Sequence, residues 1–87
     1  MAAKVEVYST SYCPYCRAAE RLLDSKGVAY EAYDVTYDSD KRDWLVEVTG
    51  RTTVPQIFID GEPIGGFTDM QALDRQGKFA PMLGLAG

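Results

Sequence analysis

Between Lys4 and Leu23 the hydrophobic repeat changes from every second residue to helical spacing, and the change falls across Ser-Tyr-Cys-Pro-Tyr-Cys. Val5 and Val7 lie on one face of an extended segment and Glu6 and Tyr8 on the other, as in a strand. Ala18, Ala19, Leu22 and Leu23 then recur as on one side of a helix. Pro14 suits the first helical turn, where its missing N–H forfeits no bond. Lys26 in the last turn and Gly27 just beyond it suit a helix end, so the helix should cover about residues 14–26. A strand running directly into a short amphipathic helix, and then into a second strand over Val28–Val35, predicts a right-handed βαβ unit with two parallel strands.

The later segments extend this unit. Asp38, Ser39 and Asp40 are cap-type residues ahead of an apolar stripe of Trp44, Leu45 and Val48, closed by Gly50. Trp44 is expected in or beside the core. Pro55 to Asp60 reads as a third strand, and Asp60-Gly61 as a two-residue hairpin turn. The return strand, Glu62 to Phe67, contains Pro63, which cannot donate to a ladder and belongs on an edge. Thr68 with Gln71 three residues on predicts a capping box, and a third helix should run to Gln76 with Gly77 after it. The last residues, 78–87, add at most one more turn and a loose end. The order is β-α-β-α-β-β-α: an α/β fold with a four-stranded mixed sheet flanked by helices, in one domain over residues 1–87.

Composition removes several classes of function. The net charge is −4 with no basic block, which argues against nucleic acid. No apolar run approaches the ~20 residues needed to span a bilayer. The first residues lack the apolar centre of a secretory signal, so a soluble, cytoplasmic protein is expected, without membrane contact and as a monomer.

The chain has two cysteines, Cys13 and Cys16, and no histidine. A structural zinc site needs about four protein ligands, so the pair cannot close one alone, and no metal is expected. A disulfide between them would close a loop too short to restrain much unfolded chain, roughly 2 kcal/mol. A redox role has a positive physical basis. Cys13 falls at the helix N-cap, where unpaired backbone N–H groups and the helix dipole favour a thiolate, the nucleophilic form of a thiol. Cys16, one turn in, is placed to attack a mixed disulfide on Cys13.

Two further stretches invite a ligand. An isolated X–Pro bond is cis in only about 5–6% of cases, so Thr52-Thr53-Val54-Pro55-Gln56 taken alone is a strand-entry turn. A cis Val54–Pro55 bond would instead turn the Val54 backbone outward to pair with an extended peptide. Gly65-Gly66-Phe67-Thr68-Asp69 taken alone is a tight turn into a helix; bare N–H groups there also suit a carboxylate. Arg42 and Arg51 read by default as solvated charges, and Tyr15 as a half-exposed aromatic.

Taken together, Tyr12-Cys13-Pro14-Tyr15-Cys16, Arg51 to Gly61 and Ile64 to Asp69 resemble the dithiol glutaredoxins of the small bacterial type, over roughly residues 4 to 80. The resemblance implies a thioredoxin-like fold and glutathione as reducing co-substrate. It implies Cys13 as nucleophile, Cys16 as resolving thiol and a cis Pro55. It further implies a glutathione groove of Tyr15, Arg42, Thr53, Val54, Pro55, Gly66, Thr68 and Asp69. In that groove Val54 would pair with the cysteinyl backbone, Thr68 and Asp69 would take the γ-glutamyl end, and Arg42 would approach the glycyl carboxylate. Disulfide-containing or glutathionylated proteins would be the substrates, with glutathione reductase acting indirectly.

Two positions depart from the family pattern. Thr10 stands where a Lys is common, leaving Arg17 as a partial substitute. Phe67 stands where many relatives have Cys, and is similar to redoxins reduced by thioredoxin reductase. The rival readings are therefore such a redoxin, and a carrier of a glutathione-ligated [2Fe–2S] cluster.

Overall fold

In the computed structural model, which describes residues 3–84, the alternation along the first strand divides the hydrophobic residues into two layers. The elements run β1 (Val5–Ser9), α1 (Pro14–Ser25), β2 (Glu31–Asp34), α2 (Ser39–Thr49), β3 (Gln56–Ile59), β4 (Glu62–Gly65), α3 (Phe67–Arg75) and α4 (Phe79–Met82). The sheet order is β2-β1-β3-β4, with β1 and β2 parallel and the other neighbours antiparallel. This is the expected mixed four-stranded sheet, with a short α4 added to the predicted order. Among the described residues no helix is long and apolar enough to cross a membrane.

Val5 and Val7 of β1 and Ile57 and Ile59 of β3 face Ala19 and Leu23 of α1, Met70 of α3, Phe79 of α4 and Leu83. Tyr8 and Phe58 point the other way and pack with Val35, just after β2, and with Leu45 of α2. The two central strands are thus covered on both faces, which is why β3 is buried along its whole length. On the second face Tyr8 stacks on Tyr33, with ring centres 5.0 Å apart. Trp44 stacks on Phe58 at the rim of this layer, and the Lys41 ammonium sits 4.4 Å from a Trp44 ring centre.

The ends of the elements follow local chemistry. Gly27 is left-handed, Gly27 N–H donates to Asp24 O and Val28 N–H to Leu23 O, a double bond pattern that closes α1. That closure shortens the second strand. Val28 is spent on the helix end and on the core, so β2 begins at Glu31 instead of Val28. Asp60 and Gly61 both have positive φ, as the hairpin type that matches strand twist requires. Pro63 lies on the edge strand β4, as its missing donor demands.

The start of α3 corrects the sequence reading. Its N-cap is Gly66, not Thr68, and Thr68 lies within the first turn. Glycine has no side chain to cap with, so half of a capping box forms: the Asp69 carboxylate accepts from Gly66 N–H at 3.0 Å. The helix can start early because Gly65 adopts φ +110°, and a Cβ on Gly65 would sit 2.4 Å from Asp69 Oδ2. Gly65→Ala is therefore expected to destabilise the fold by about 1–3 kcal/mol, read as a lower urea midpoint at unchanged slope. An unchanged midpoint would show that neither the backbone conformation nor the Asp69 contact is required.

Candidate active site

The loop that leaves β1 is anchored before it reaches the cysteines. Ser11 N–H donates to Thr36 Oγ1 at 3.0 Å, and Thr36 is itself held by Asp34 at the end of β2. Thr10 is buried against the core side of this loop, and its hydroxyl has no partner among the described residues. Cys13 then takes an extended backbone conformation as N-cap of α1, and Pro14 opens the helix.

The two sulfurs occupy different environments. Cys13 Sγ is half-buried, accepts from Cys16 N–H at 3.2 Å and lies 3.6 Å from the Val54 carbonyl, to which its thiol donates. Cys16 has no exposed surface. Burial, and then the hydrogen bond with Cys13, push the Cys16 thiol up to about 12, partly opposed by the Thr10 backbone N–H. Both cysteines are free thiols. Cys13 is the accessible sulfur and Cys16 the enclosed one beneath it. Among the described residues no three His, Cys, Asp or Glu side chains converge as a metal site would need.

Beside the Val54 carbonyl runs an open groove of about 230 Å³ lined by Tyr15, Arg51, Thr53, Val54, Pro55, Gly66, Phe67, Thr68 and Asp69. Three connections build it: the start of α1, the α2–β3 loop and the β4–α3 turn. The Val54–Pro55 peptide bond is cis. Gln56 Nε2 donates to Thr53 O at 2.9 Å, which ties the α2–β3 loop to the start of β3. The third connection approaches so closely that a Cβ on Gly66 would lie 3.2 Å from Pro55 O. The rings of Tyr15 and Phe67 are 6.3 Å apart on the far wall.

Asp69 carries the groove's fixed negative charge. Its Oδ2 accepts from Arg51 Nη1 at 2.6 Å and from Gly66 N–H at 3.0 Å. The Arg51 guanidinium first, and the Gly66 N–H second, hold the Asp69 carboxyl below the usual carboxylate range. It therefore keeps its charge to lower pH than a free aspartate does.

Of the residues named from sequence, Tyr15, Thr53, Val54, Pro55, Gly66, Thr68 and Asp69 meet in this groove, and Cys13 and Cys16 adjoin it through Val54. Arg42 does not line it. It lines a neighbouring cavity of about 190 Å³, together with Arg51, Thr52, Thr53 and Val54. Arg17 is paired with Glu20 at 3.3 Å and is not a groove residue. Arg51, read as a solvated charge, belongs to the groove instead. The one sequence signal for it was its place directly after the helix-closing Gly50. A larger depression of about 500 Å³ lined by Asp34, Tyr37, Asp38, Ser39 and Asp40 contains neither cysteine.

Comparison with known proteins gives one consistent answer. The glutaredoxin family model matches residues 5–64. Glutaredoxin 3 of Escherichia coli K12 is 47% identical over 81 residues, covering 93% of this chain and 98% of the relative. Among solved structures, a buckwheat glutaredoxin–glutathione complex superposes with a TM-score of 0.89 at 34% identity, over 97% of this chain and 83% of that one. A dithiolic glutaredoxin of Trypanosoma brucei brucei gives a TM-score of 0.86 at 37% identity, over 93% and 87%.

The unequal sulfurs make a direct test. Iodoacetamide at about pH 8 should label Cys13 alone in the native reduced chain, and Cys16 only after denaturation. Peptide mass spectrometry reads the sites, and equal labelling of both in the native chain would contradict the burial of Cys16.

Proposed function

The chain belongs to the glutaredoxin family, and on that footing we propose that it is a glutathione-dependent thiol–disulfide oxidoreductase of the dithiol Cys-Pro-Tyr-Cys type. The observation that carries this reading is the placement of Cys13 Sγ, held by Cys16 N–H and the Val54 carbonyl at the end of a peptide-sized groove. The buckwheat relative was solved as a complex with glutathione, which supports the same ligand here.

The chemistry follows from the two environments. The Cys13 thiolate attacks the glutathionyl sulfur of a mixed disulfide. A Cys13–glutathione disulfide forms, and the departing thiolate takes a proton from water. A glutathione thiolate then attacks the glutathionyl sulfur, releasing Cys13 and glutathione disulfide, which glutathione reductase returns to the thiol. With a protein disulfide, Cys13 forms the mixed disulfide with the protein and Cys16 attacks the Cys13 sulfur. The reduced protein leaves, and two glutathiones reopen the Cys13–Cys16 bond. The N–H groups at the start of α1 stabilise negative charge on Cys13 in the steps where it attacks or leaves.

Burial of Cys16 sets the balance between these routes. Burial is the larger cause of its raised pKa and does not depend on the state of Cys13. An enclosed Cys16 thiol is harder to ionise than an exposed one, which favours external glutathione as the resolver of small mixed disulfides. Within the groove, Val54 pairs with the cysteinyl backbone, Tyr15 lies along the tripeptide, and Thr68 and Asp69 hold the γ-glutamyl end. Arg42 and Thr53 face the glycyl carboxylate from the α2–β3 side.

The deciding assay follows NADPH consumption with a small glutathione mixed disulfide. Glutathione with glutathione reductase should sustain turnover, and thioredoxin reductase alone should not. The reverse result would overturn glutathione dependence and make Phe67 the informative residue. Cys13→Ser should abolish turnover. Cys16→Ser should keep deglutathionylation and lose reduction of protein disulfides; normal turnover by Cys13→Ser would end the nucleophile assignment.

A further inference from the structure

The Thr53–Val54 edge of the groove is held by a side chain that does not line the groove. Between the end of α2 and the start of β3, Thr52, Thr53 and Val54 make no backbone–backbone hydrogen bond among the described residues. Thr53 is held instead by Gln56, whose Nε2 donates to Thr53 O at 2.9 Å and lies 3.4 Å from Thr53 Oγ1. Gln56 is 1% exposed and opposes Tyr8 in the β1–β3 ladder. It lines a small cavity with Thr49 and Gly65 and is absent from the groove lining.

An amide is a costly choice for this buried position. Its Oε1 is enclosed and has no partner among the described residues, so the desolvation of that oxygen is uncompensated. An apolar side chain of the same length would avoid that cost. What the amide alone supplies is a donor aimed at Thr53 O. Thr53 is exposed, so without that donor its carbonyl is free to turn to water. The consequence falls on the next residue. The Thr53–Val54 peptide is trans, and in a trans unit the C=O and N–H point in opposite directions. Holding Thr53 O toward Gln56 therefore holds Val54 N–H on the side away from Gln56. The Val54 carbonyl, beside Cys13 Sγ, belongs to the following peptide unit, which the buried Pro55 holds separately.

We propose that Gln56 is a positioning residue: it locks the Thr53–Val54 peptide plane so that Val54 N–H faces the groove and donates to an extended ligand backbone. The inference rests on the glutathione reading, in which Val54 pairs with the cysteinyl backbone. A plane without the anchor rotates about the bonds on either side of it, and each ligand has to order it on binding. Gln56 orders it in advance. Its effect reaches the ligand and spares the sulfur, because the two are served by different peptide units.

Gln56→Met keeps the length of the side chain and removes the donor. With a small glutathione mixed disulfide and glutathione reductase, kcat/KM should fall by about 5- to 10-fold, as for one lost hydrogen bond. Alkylation of Cys13 by iodoacetamide, which makes no use of the groove, should keep its rate within about twofold. Thermal unfolding should show no loss of stability, because the unpaired Oε1 is removed with the donor. In NMR, S-methylglutathione should shift the Val54 amide resonance of the reduced wild-type chain, and shift it less in the variant. Gln56→Asn, one methylene too short to reach Thr53 O, should match Gln56→Met in both reactions. Unchanged kcat/KM in either variant would overturn the proposal. So would equal slowing of turnover and alkylation with a lower Tm, which would make Gln56 a residue of the fold only. If the wild-type chain neither turns over the mixed disulfide nor shifts Val54, the glutathione reading falls and the role of Gln56 with it. If the wild type does both and Gln56→Met does both equally well, only the role of Gln56 falls.

Discussion

A helix that begins on a sulfur atom organises this molecule. Where other helices use an oxygen side chain to satisfy their first N–H groups, α1 uses Cys13 Sγ, which accepts from Cys16 N–H at 3.2 Å. That bond fixes both cysteines at once. It holds one sulfur outside the helix, at the end of β1 and beside Val54. It also places the second sulfur one turn in, on the face that Ala19 and Leu23 continue into the core. The burial that stabilises α1 against the sheet is the same burial that raises the Cys16 thiol. Packing and reactivity cannot be varied separately here.

The sheet brings the rest of the groove to that sulfur. Because β3 lies antiparallel beside β1, the residues just before β3 meet the residues just after β1. Thr53 and Val54 thus arrive next to Cys13 although far from it in sequence. The hairpin then returns β4 along β3, so the β4–α3 turn reaches the same end and sets Gly66 against Pro55. Two glycines make this last approach possible. Gly65 takes a backbone conformation closed to other residues, and Gly66 leaves room for the Pro55 carbonyl. Asp69 is folded back by the same turn and becomes the charged wall.

Features governed by neighbours in sequence were legible without coordinates. The change of repeat located β1 and α1, Gly27 and Gly77 marked helix ends, and Asp60-Gly61 marked the hairpin. The cysteine spacing at a helix start put Cys13 at the N-cap and Cys16 one turn in, where the structure has them. What the sequence could not convey depends on distance across the fold. Thr68 and Gln71 have the composition of a capping box, yet the helix starts at Phe67, because Gly65 permits the turn and Asp69 reaches back to Gly66. Val28 has the character of a strand residue but closes a helix. Arg42 and Arg51 are both exposed arginines, and the Gly50 that precedes Arg51 does not by itself say where its side chain goes. Only the tertiary arrangement sends Arg51 to Asp69 and Arg42 to the next cavity.

The position of these arginines bears on the absent lysine. Thr10 is uncharged and buried, and the nearby Arg17 is paired with Glu20, so neither lines the groove. The groove's positive charge lies instead on the α2–β3 side, where Arg51 and, in the adjoining cavity, Arg42 flank Thr53 and Val54. In the proposed function this separates two electrostatic tasks. Stabilising the sulfur falls to the N–H groups and dipole of α1, which are fixed by the fold and reach only the first turn. Holding the ligand falls to side chains exposed to solvent, whose interactions weaken with salt. Ligand affinity should accordingly respond to ionic strength more than the reactivity of Cys13 does, because a helix terminus is part of the backbone and a surface guanidinium is not.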